Sequence, residues 1–463
     1  MHRRGSWLVL AVALGAAVPA AGAVFNVGGA GTYPTIQSAV DAAVVQGGTN
    51  EIRVQQGTYI ENLTVPSTFT AGSLLLTGGW NAAFTARSQN PALTVVDGGA
   101  AGSVLTVQAV GGRVEVRGLT LTNGSSTSGG GVRCDLGGPM TVVIAGCHII
   151  DNLVTAYTAQ GGGLYLLAPA GAVIDIIGNR IEGNTCHATD SNASGGGIQG
   201  STSGDGGVRV LGNTIRANEA HTVLDQQSMG AGAYLSASDT GSVIFSDNLV
   251  NGNLSTGVGT AIQTGAYIGA WQTASSVEIR RNLIWDNPST KTGAVGAAFG
   301  TGALGSSTVV LSDTVVAAAG GEGIEVQAYQ DSHISLSNVT VTDVAGRGWY
   351  VSTSGTATID LANSVTWSTG SADFIAGAIT SYNNLSNVDP LFVAAAQGNF
   401  QPGPGSPVIS YGSNSAPAIG TTDLAGGDRI IGSTVDAGAY EYGNIFATGF
   451  EYGVLTGWQT VVY

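Results

Sequence analysis

The sequence predicts an all-β solenoid: a single-stranded, right-handed parallel β-helix with a short N-terminal capping helix. Three observations predict it. A hexad, typified by NRIEGN from Asn179, returns along the chain. A glycine cluster keeps step with it. Between the two lie short alternating runs such as TVVIAG and AVIDIIG, which have the period of two that marks strands. The composition agrees: 73 glycines follow no three-residue period, and with only 10% charged residues strong helix formers are sparse.

The hexads begin at Cys147, Asn179, Asn213, Asn248 and Asn282, which are 32, 34, 35 and 34 residues apart, and each ends in Asn. The glycine clusters at Gly129, Gly161, Gly195 and Gly230 recur at 32, 34 and 35. Units from Asp313, Asn338 and Asn363 follow at 25, as the same repeat without a loop insertion, and GLTLTN (Gly118 to Asn123) precedes the series. A unit this small cannot bury its own apolar face, so its copies must stack. Stacking places Ile149, Ile181, Ile215, Val250 and Ile284 in one inward column. It also makes ladders of Asn179, Asn213, Asn248 and Asn282 and of Asn152, Asn184, Asn218, Asn253 and Asn287, whose amides can satisfy turn groups that would otherwise be buried unpaired.

In chain order, residues 1–23 read as a secretory signal peptide, with Arg3 and Arg4 before an apolar run and a small-residue cleavage site ending at Ala23. Residues 24–66 form an N-terminal cap and first coil, with a helix from about Thr35 to Val45 covering the open end of the solenoid. Residues 67–388 are the coils, 389–442 a closing segment and 443–463 a C-terminal tail. No long apolar stretch follows the signal, so no membrane-spanning segment is expected. The expected product is a monomer, secreted or held at the cell surface.

The formal charge is −15 and Lys291 is the only lysine, which makes nucleic acid and anionic membrane surfaces poor partners, because both require cations to displace counterions. Cys134, Cys147 and Cys186 allow at most one disulfide, whose pairing the sequence leaves open. Cys134 and Cys147 fit best as small buried hydrophobes.

The outward columns can be searched for chemistry. The fourth hexad place reads Ile150, Glu182, Arg216, Asn251, Trp285, and the second reads His148, Arg180, Thr214, Leu249, Leu283. Neither column holds adjacent carboxylates. Asp151 and Asp286 share the fifth place but stand four coils apart, roughly 19 Å, too far to act together. Glu182 and Arg216 form a surface ion pair. His187 and His221 occupy equivalent places after consecutive hexads, with Asp190 and Asp225 following, and are the candidates for transition-metal binding or acid–base catalysis. Trp285, expected to face outward, and Trp271, Tyr329, Trp349, Tyr350 and Trp367 are candidates for stacking on sugar rings.

Several of these segments resemble known families. The paired GGG[VLI] and [IV]-x-x-N motifs resemble polymorphic outer membrane protein repeats, with Ile where that family favours Phe. GTYPTIQSAVDAAVVQGGTNEIRVQQGTYIENLTV is similar to the opening of pectin-lyase-like β-helix proteins. Asp389 to Tyr442 resembles the closing segment of secreted proteins of the choice-of-anchor Q group, with Ser410 at its usual acidic position. IFATGFEYGVLTGW resembles the tail of some exported bacterial proteins.

These resemblances imply a scaffold shared by pectate lyases, polygalacturonases, pectin esterases and adhesins. A lyase would need acidic ligands for Ca²⁺; otherwise no cofactor is expected. ADFIAG resembles the aspartate segment of pectin esterases and makes Asp373 a candidate nucleophile, but those enzymes' QDTLY stretch has no counterpart and GRGW comes before the aspartate. The polygalacturonase pattern of paired aspartates is missing too. The expectation is a non-catalytic surface or adhesion-type protein that contacts extracellular polysaccharide or cell-surface glycan. The alternative is a polysaccharide lyase or hydrolase acting from the coil loops.

Overall fold

The structure is a computed structural model that describes residues 22–291 and 296–443. Residues 1–21 of the expected signal peptide and residues 444–463 of the tail lie outside the described residues. Each coil contributes one strand to each of three long parallel sheets of 13, 12 and 11 strands, here the first, second and third sheets. One coil runs Leu164–Ala168 in the third sheet, Val173–Ile177 in the first and Arg180–Glu182 in the second. The fold is a right-handed parallel β-helix.

Register is kept from coil to coil because the side-chain period is two, so a one-residue slip would turn the core face outward. Ile149 pairs with Ile181, Ile181 with Ile215, Ile215 with Val250 and Val250 with Ile284. All five are fully buried in a core that runs the length of the solenoid.

The capping helix spans Ile36–Gln46. Thr35 caps it by accepting from Ser38 N–H, and both Glu61 oxygens accept from Ile36 and Gln37 N–H at 2.9 Å. The first-turn donors that a helix leaves unpaired are thereby satisfied. Ile36, Ala39, Val40 and Ala43 press onto the first coil and close the core.

Two asparagine columns run inside the turns that flank the second sheet. In the first, the N–H groups of Cys147, Asn179, Asn213 and Asn248 each donate to the next Asn Oδ1 at 2.9–3.0 Å, and the Asn Nδ2 groups donate to the same oxygens at 3.1 Å. Nδ2 also reaches the carbonyls of Ile144, Ile176, Val210 and Phe245. The second column repeats the pattern through Asn152, Asn184, Asn218, Asn253 and Asn287, with amide-to-amide bonds of 2.9 Å.

The glycine clusters keep step with the hexads because the two touch. A Cβ on Gly197 would sit 2.9 Å from Asn218 Nδ2 and 2.5 Å from Gly232 O, and Gly131, Gly163, Gly232 and Gly265 face Asn152, Asn184, Asn253 and Asn287 in the same way. The first glycine, as at Gly195 with φ +61°, supplies a left-handed turn.

The loop insertions of the long repeats form an arm with its own small parallel sheets of five and four strands. Its interior is Val154, Ala159, Cys186, Ala188, Ala193, Ala220 and Ala231. Lys291, only 7% exposed, reaches into the arm and donates to Thr222 Oγ1 (2.6 Å), Gln226 O (2.8 Å) and Val258 O (2.9 Å). All three cysteines are free and buried.

The closing segment does not continue the stack. It folds back over the outer face of the second sheet, where Phe400, Ala425, Ala439 and Tyr440 pack on Leu249, Leu283, Val315 and Ala317. Arg429, 1% exposed, is its anchor: it bonds Glu441 Oε1 (2.6 and 3.1 Å), Asp313 of the coils (3.1 Å) and the carbonyls of Ala439 and Gly438.

Candidate functional site

The histidine pair lies on the outer side of the arm. Strands Thr185–Ala188 and Glu219–Thr222 pair in register, which sets His187 opposite His221 with ring centroids 4.6 Å apart and planes tilted by 57°. Cys186 and Ala220, their neighbours, point into the arm because side chains alternate along a strand. His221 Nδ1 lies 2.7 Å from Thr256 Oγ1, and that hydroxyl also donates to Glu219. Burial lowers the His221 pKa, the adjacent His187 lowers it further, and Glu219 opposes both.

Asp190 and Asp225 fall in the turns at the tip of the arm, both exposed. Asp225 supplies the charge that opposes the burial of Lys291, whose amine burial brings down to about 8. Among the described residues no three His, Cys, Asp or Glu side chains converge as metal ligands.

Asp373 and Glu182, also named from sequence, are engaged in the scaffold. Asp373 accepts from Trp349 N–H (3.0 Å), Thr366 Oγ1 (3.2 Å) and Ser386 Oγ (3.1 Å), which leaves it bound into the last coils. Burial pushes Glu182 up, but hydrogen bonds and charge from Arg180 and Arg216 outweigh it and hold the carboxyl at about 2. It is therefore an ionised partner of two guanidiniums and not an acid.

The aromatic candidates divide. Trp349 is buried in the core. Trp285 leaves its strand outward, as expected, but it is not free: it packs against the cluster under the closing segment, with Gly398 over its ring. The sequence reading treated the outward hexad places as open surface and missed that the chain returns to cover some of them. Trp367 borders a hollow of about 370 Å³ shared by Asp343, Asp389, Leu391, Phe392 and Ala395, at the seam between coil and closing segment.

A second set of aromatics lies on the outer face of the third sheet, half-buried except for Phe374, which is 39% exposed. One outward column there reads Tyr165, Gln199, Tyr234, Tyr267, Gly300, Glu325, Tyr350 and Phe374. Tyr234 stacks on Tyr267 at 5.2 Å, Tyr267 on Trp271 at 6.1 Å, and Tyr350 on Phe374 at 4.9 Å. Beneath Tyr267 and Trp271 lie Gly269 and Gly302, where a Cβ would come within 2.9 Å of the Tyr267 hydroxyl. The glycines leave room for the Tyr267 side chain to reach along the sheet.

At the middle of this face, Glu325 accepts from Gln263 Nε2 and Gln327 Nε2, both at 2.7 Å, and Tyr329 donates to Gln327. Burial raises the Glu325 pKa, Gln263 opposes it, and the charge of Glu322 adds to it. Sequence spacing pointed to Trp271, Tyr329 and Tyr350. It missed Tyr234, Tyr267 and Glu325, which the third-sheet register alone aligns and which an alternation count through AYLSAS, AYIGAW and EGIEVQAYQ could have found.

Two solved structures are similar to this chain at low identity. Pectate lyase Pel9A is 14% identical with a TM-score of 0.42, over 87% of this chain and 90% of that one. Escherichia coli YbhC is 17% identical with a TM-score of 0.28, over 59% and 76%. No family model matches the chain, and no curated protein does.

Proposed function

We propose that this chain is an exported, non-catalytic β-helix of the surface or adhesion type that contacts glycans along its open flank. The observation that carries the proposal is the aromatic column on the third sheet. Its side chains repeat from coil to coil at the strand spacing of about 4.8 Å, and Phe374 at its end is 39% exposed. Aromatic faces combined with polar tips suit sugar rings, which present an apolar face and a hydroxyl rim. The likeness to polymorphic outer membrane protein repeats and to the choice-of-anchor Q closing segment, and the reading of residues 1–23 as a signal, support export and a place at the cell surface.

One observation favours a second reading, a polysaccharide hydrolase. The seam hollow brings Asp343 of a coil and Asp389 of the closing segment to one site beside Trp367. Paired carboxylates beside an aromatic platform are what glycoside hydrolysis uses. The test is product release from a panel of neutral and acidic polysaccharides with Ca²⁺ present. The first reading expects binding without turnover. Turnover abolished by His187→Ala, His221→Ala or Asp343→Asn would overturn it.

A further inference from the structure

We infer that the outer column of the third sheet takes a neutral, hydroxyl-rich polysaccharide and rejects uronates. The inference rests on the glycan-contact reading and narrows its ligand class. Three observations carry it, and the first is charge. Between Tyr165 and Glu325 the column holds no cation among the described residues. Arg133, the column neighbour of Tyr165, pairs with Asp135 at 3.0 Å and leaves its Nε without a partner among the described residues, and Arg347 pairs with Glu322 at 2.7 Å while lying over the Tyr350 and Phe374 rings. A polyanion would meet Glu325 with nothing to neutralise it, in a protein of formal charge −15.

The second observation is unspent hydrogen-bonding capacity. Gln199 is 6% exposed, yet its Oε1 has no partner among the described residues, although it sits between Tyr165 and Tyr234 in the column. A buried amide oxygen left unpaired is costly, and a ligand hydroxyl would satisfy it. Glu325 is set the same way. Two amides fix its carboxylate in the plane of the face, and its remaining lone pairs can accept from hydroxyl groups but not from another carboxylate.

The third is geometry. The rings of Tyr234 and Tyr267 stack between neighbouring coils, and Trp271, four residues along the strand of Tyr267, widens the stack within its coil. A chain laid along the solenoid axis would meet an aromatic or acceptor group at nearly every step of about 4.8 Å. That advance is close to one sugar ring in an extended polysaccharide.

The test is affinity electrophoresis of the intact protein through gels containing mixed-linkage glucan, xylan, galactan or polygalacturonate, with wild type, Tyr267→Ala, Tyr234→Ala and Glu325→Gln side by side. Retardation is expected in at least one neutral gel and not in polygalacturonate. Tyr267→Ala should weaken binding by about tenfold, the upper range for one aromatic contact. Glu325→Gln, which removes the charge and keeps the shape, should allow measurable retardation by polygalacturonate. Tyr234→Ala, with Tyr267 left in place, guards against a variant that fails to fold, and an unchanged thermal midpoint marks a folded one. Retardation by polygalacturonate alone would overturn the neutral assignment and leave the glycan reading standing. Retardation in no gel would overturn both. Neutral binding untouched by either tyrosine variant would place the site elsewhere and overturn the column.

Discussion

The outer face of the second sheet has two halves that share a backbone and differ in everything that meets solvent. In the early coils the outward second and fourth hexad places carry Arg180, Glu182, Thr214 and Arg216, a charged and hydrated surface. In the coils of Leu249, Leu283 and Val315 the same places carry Leu249, Asn251, Leu283, Trp285, Val315 and Ala317, apolar at all but one. The change marks the footprint of the closing segment, which buries the apolar half and leaves the charged half bare. In a solenoid, an outward hydrophobic column therefore has two meanings. On the second sheet it is an internal interface, whereas on the third it stays half-buried at the surface and ends at the exposed Phe374.

The largest expected effect breaks the covered half. Arg429→Met removes the charge that holds Asp313 and Glu441, both fully buried, and should cost about 3–5 kcal/mol. The check is urea unfolding with limited proteolysis: the closing segment should become cleavable while the coils stay protected. Equal resistance to protease would mean that the apolar contacts at Leu249 and Leu283 suffice.

A smaller effect follows from pH. Burial raises the Glu441 carboxyl to about 7, against the opposing charge of Arg429, and its Oε2 has no partner. A carboxyl whose folded pKa lies above the unfolded value of about 4.3 binds its proton more tightly when folded. Its stabilisation is complete below about pH 4.3 and is lost as the pH rises through about 7. Asp313 and Asp436, also raised by burial, act in the same direction. Protease sensitivity of the closing segment should increase between pH 5 and 8 in the wild type, and Glu441→Gln should flatten that dependence.

The scaffold beneath both halves is more uniform. Asn213→Leu strips an acceptor from Asn179 and a donor from Asn248 and Ile176 O, all buried, and should cost about 1–3 kcal/mol. Equilibrium unfolding measures it. Unlike Arg429→Met, it should lower the resistance of coils and closing segment together.

The fold was legible because its determinants repeat. The spacing from Asn179 to Asn213 to Asn248 carries the coil length, and the third-place Ile column carries the inward face. The contacts that do not repeat could not be read the same way. Asp313 and Arg429 are 116 residues apart, and no period links them. Asp343 and Asp389 meet in one hollow only because the closing segment folds back. The register that sets His187 beside His221 was readable from equivalent positions in successive units, but what the pair does was not, because function at such a site depends on a third group that spacing does not supply. The switch from Arg216 to Leu249 and Trp285 was in plain view in the columns. Read as burial, it would have predicted the cover.

The smallest expected effect sharpens the comparison from the bare half. Glu182 meets Arg180 and Arg216 at the surface, and an exposed arrangement of this kind is worth about 0.2–1 kcal/mol. Its pKa, held down to about 2, gives the opposite pH sign to Glu441. A depressed carboxyl contributes stability above the unfolded value of about 4.3 and loses it as the pH falls through about 2. Glu182→Gln should therefore lower the thermal midpoint slightly at pH 6 and leave it unchanged near pH 2, whereas Glu441→Gln should matter at pH 8 and not at pH 4. If both variants lost stability over the same pH range, the two halves of the second sheet would not be electrostatically distinct, and the division between a solvated flank and a covered one would fail.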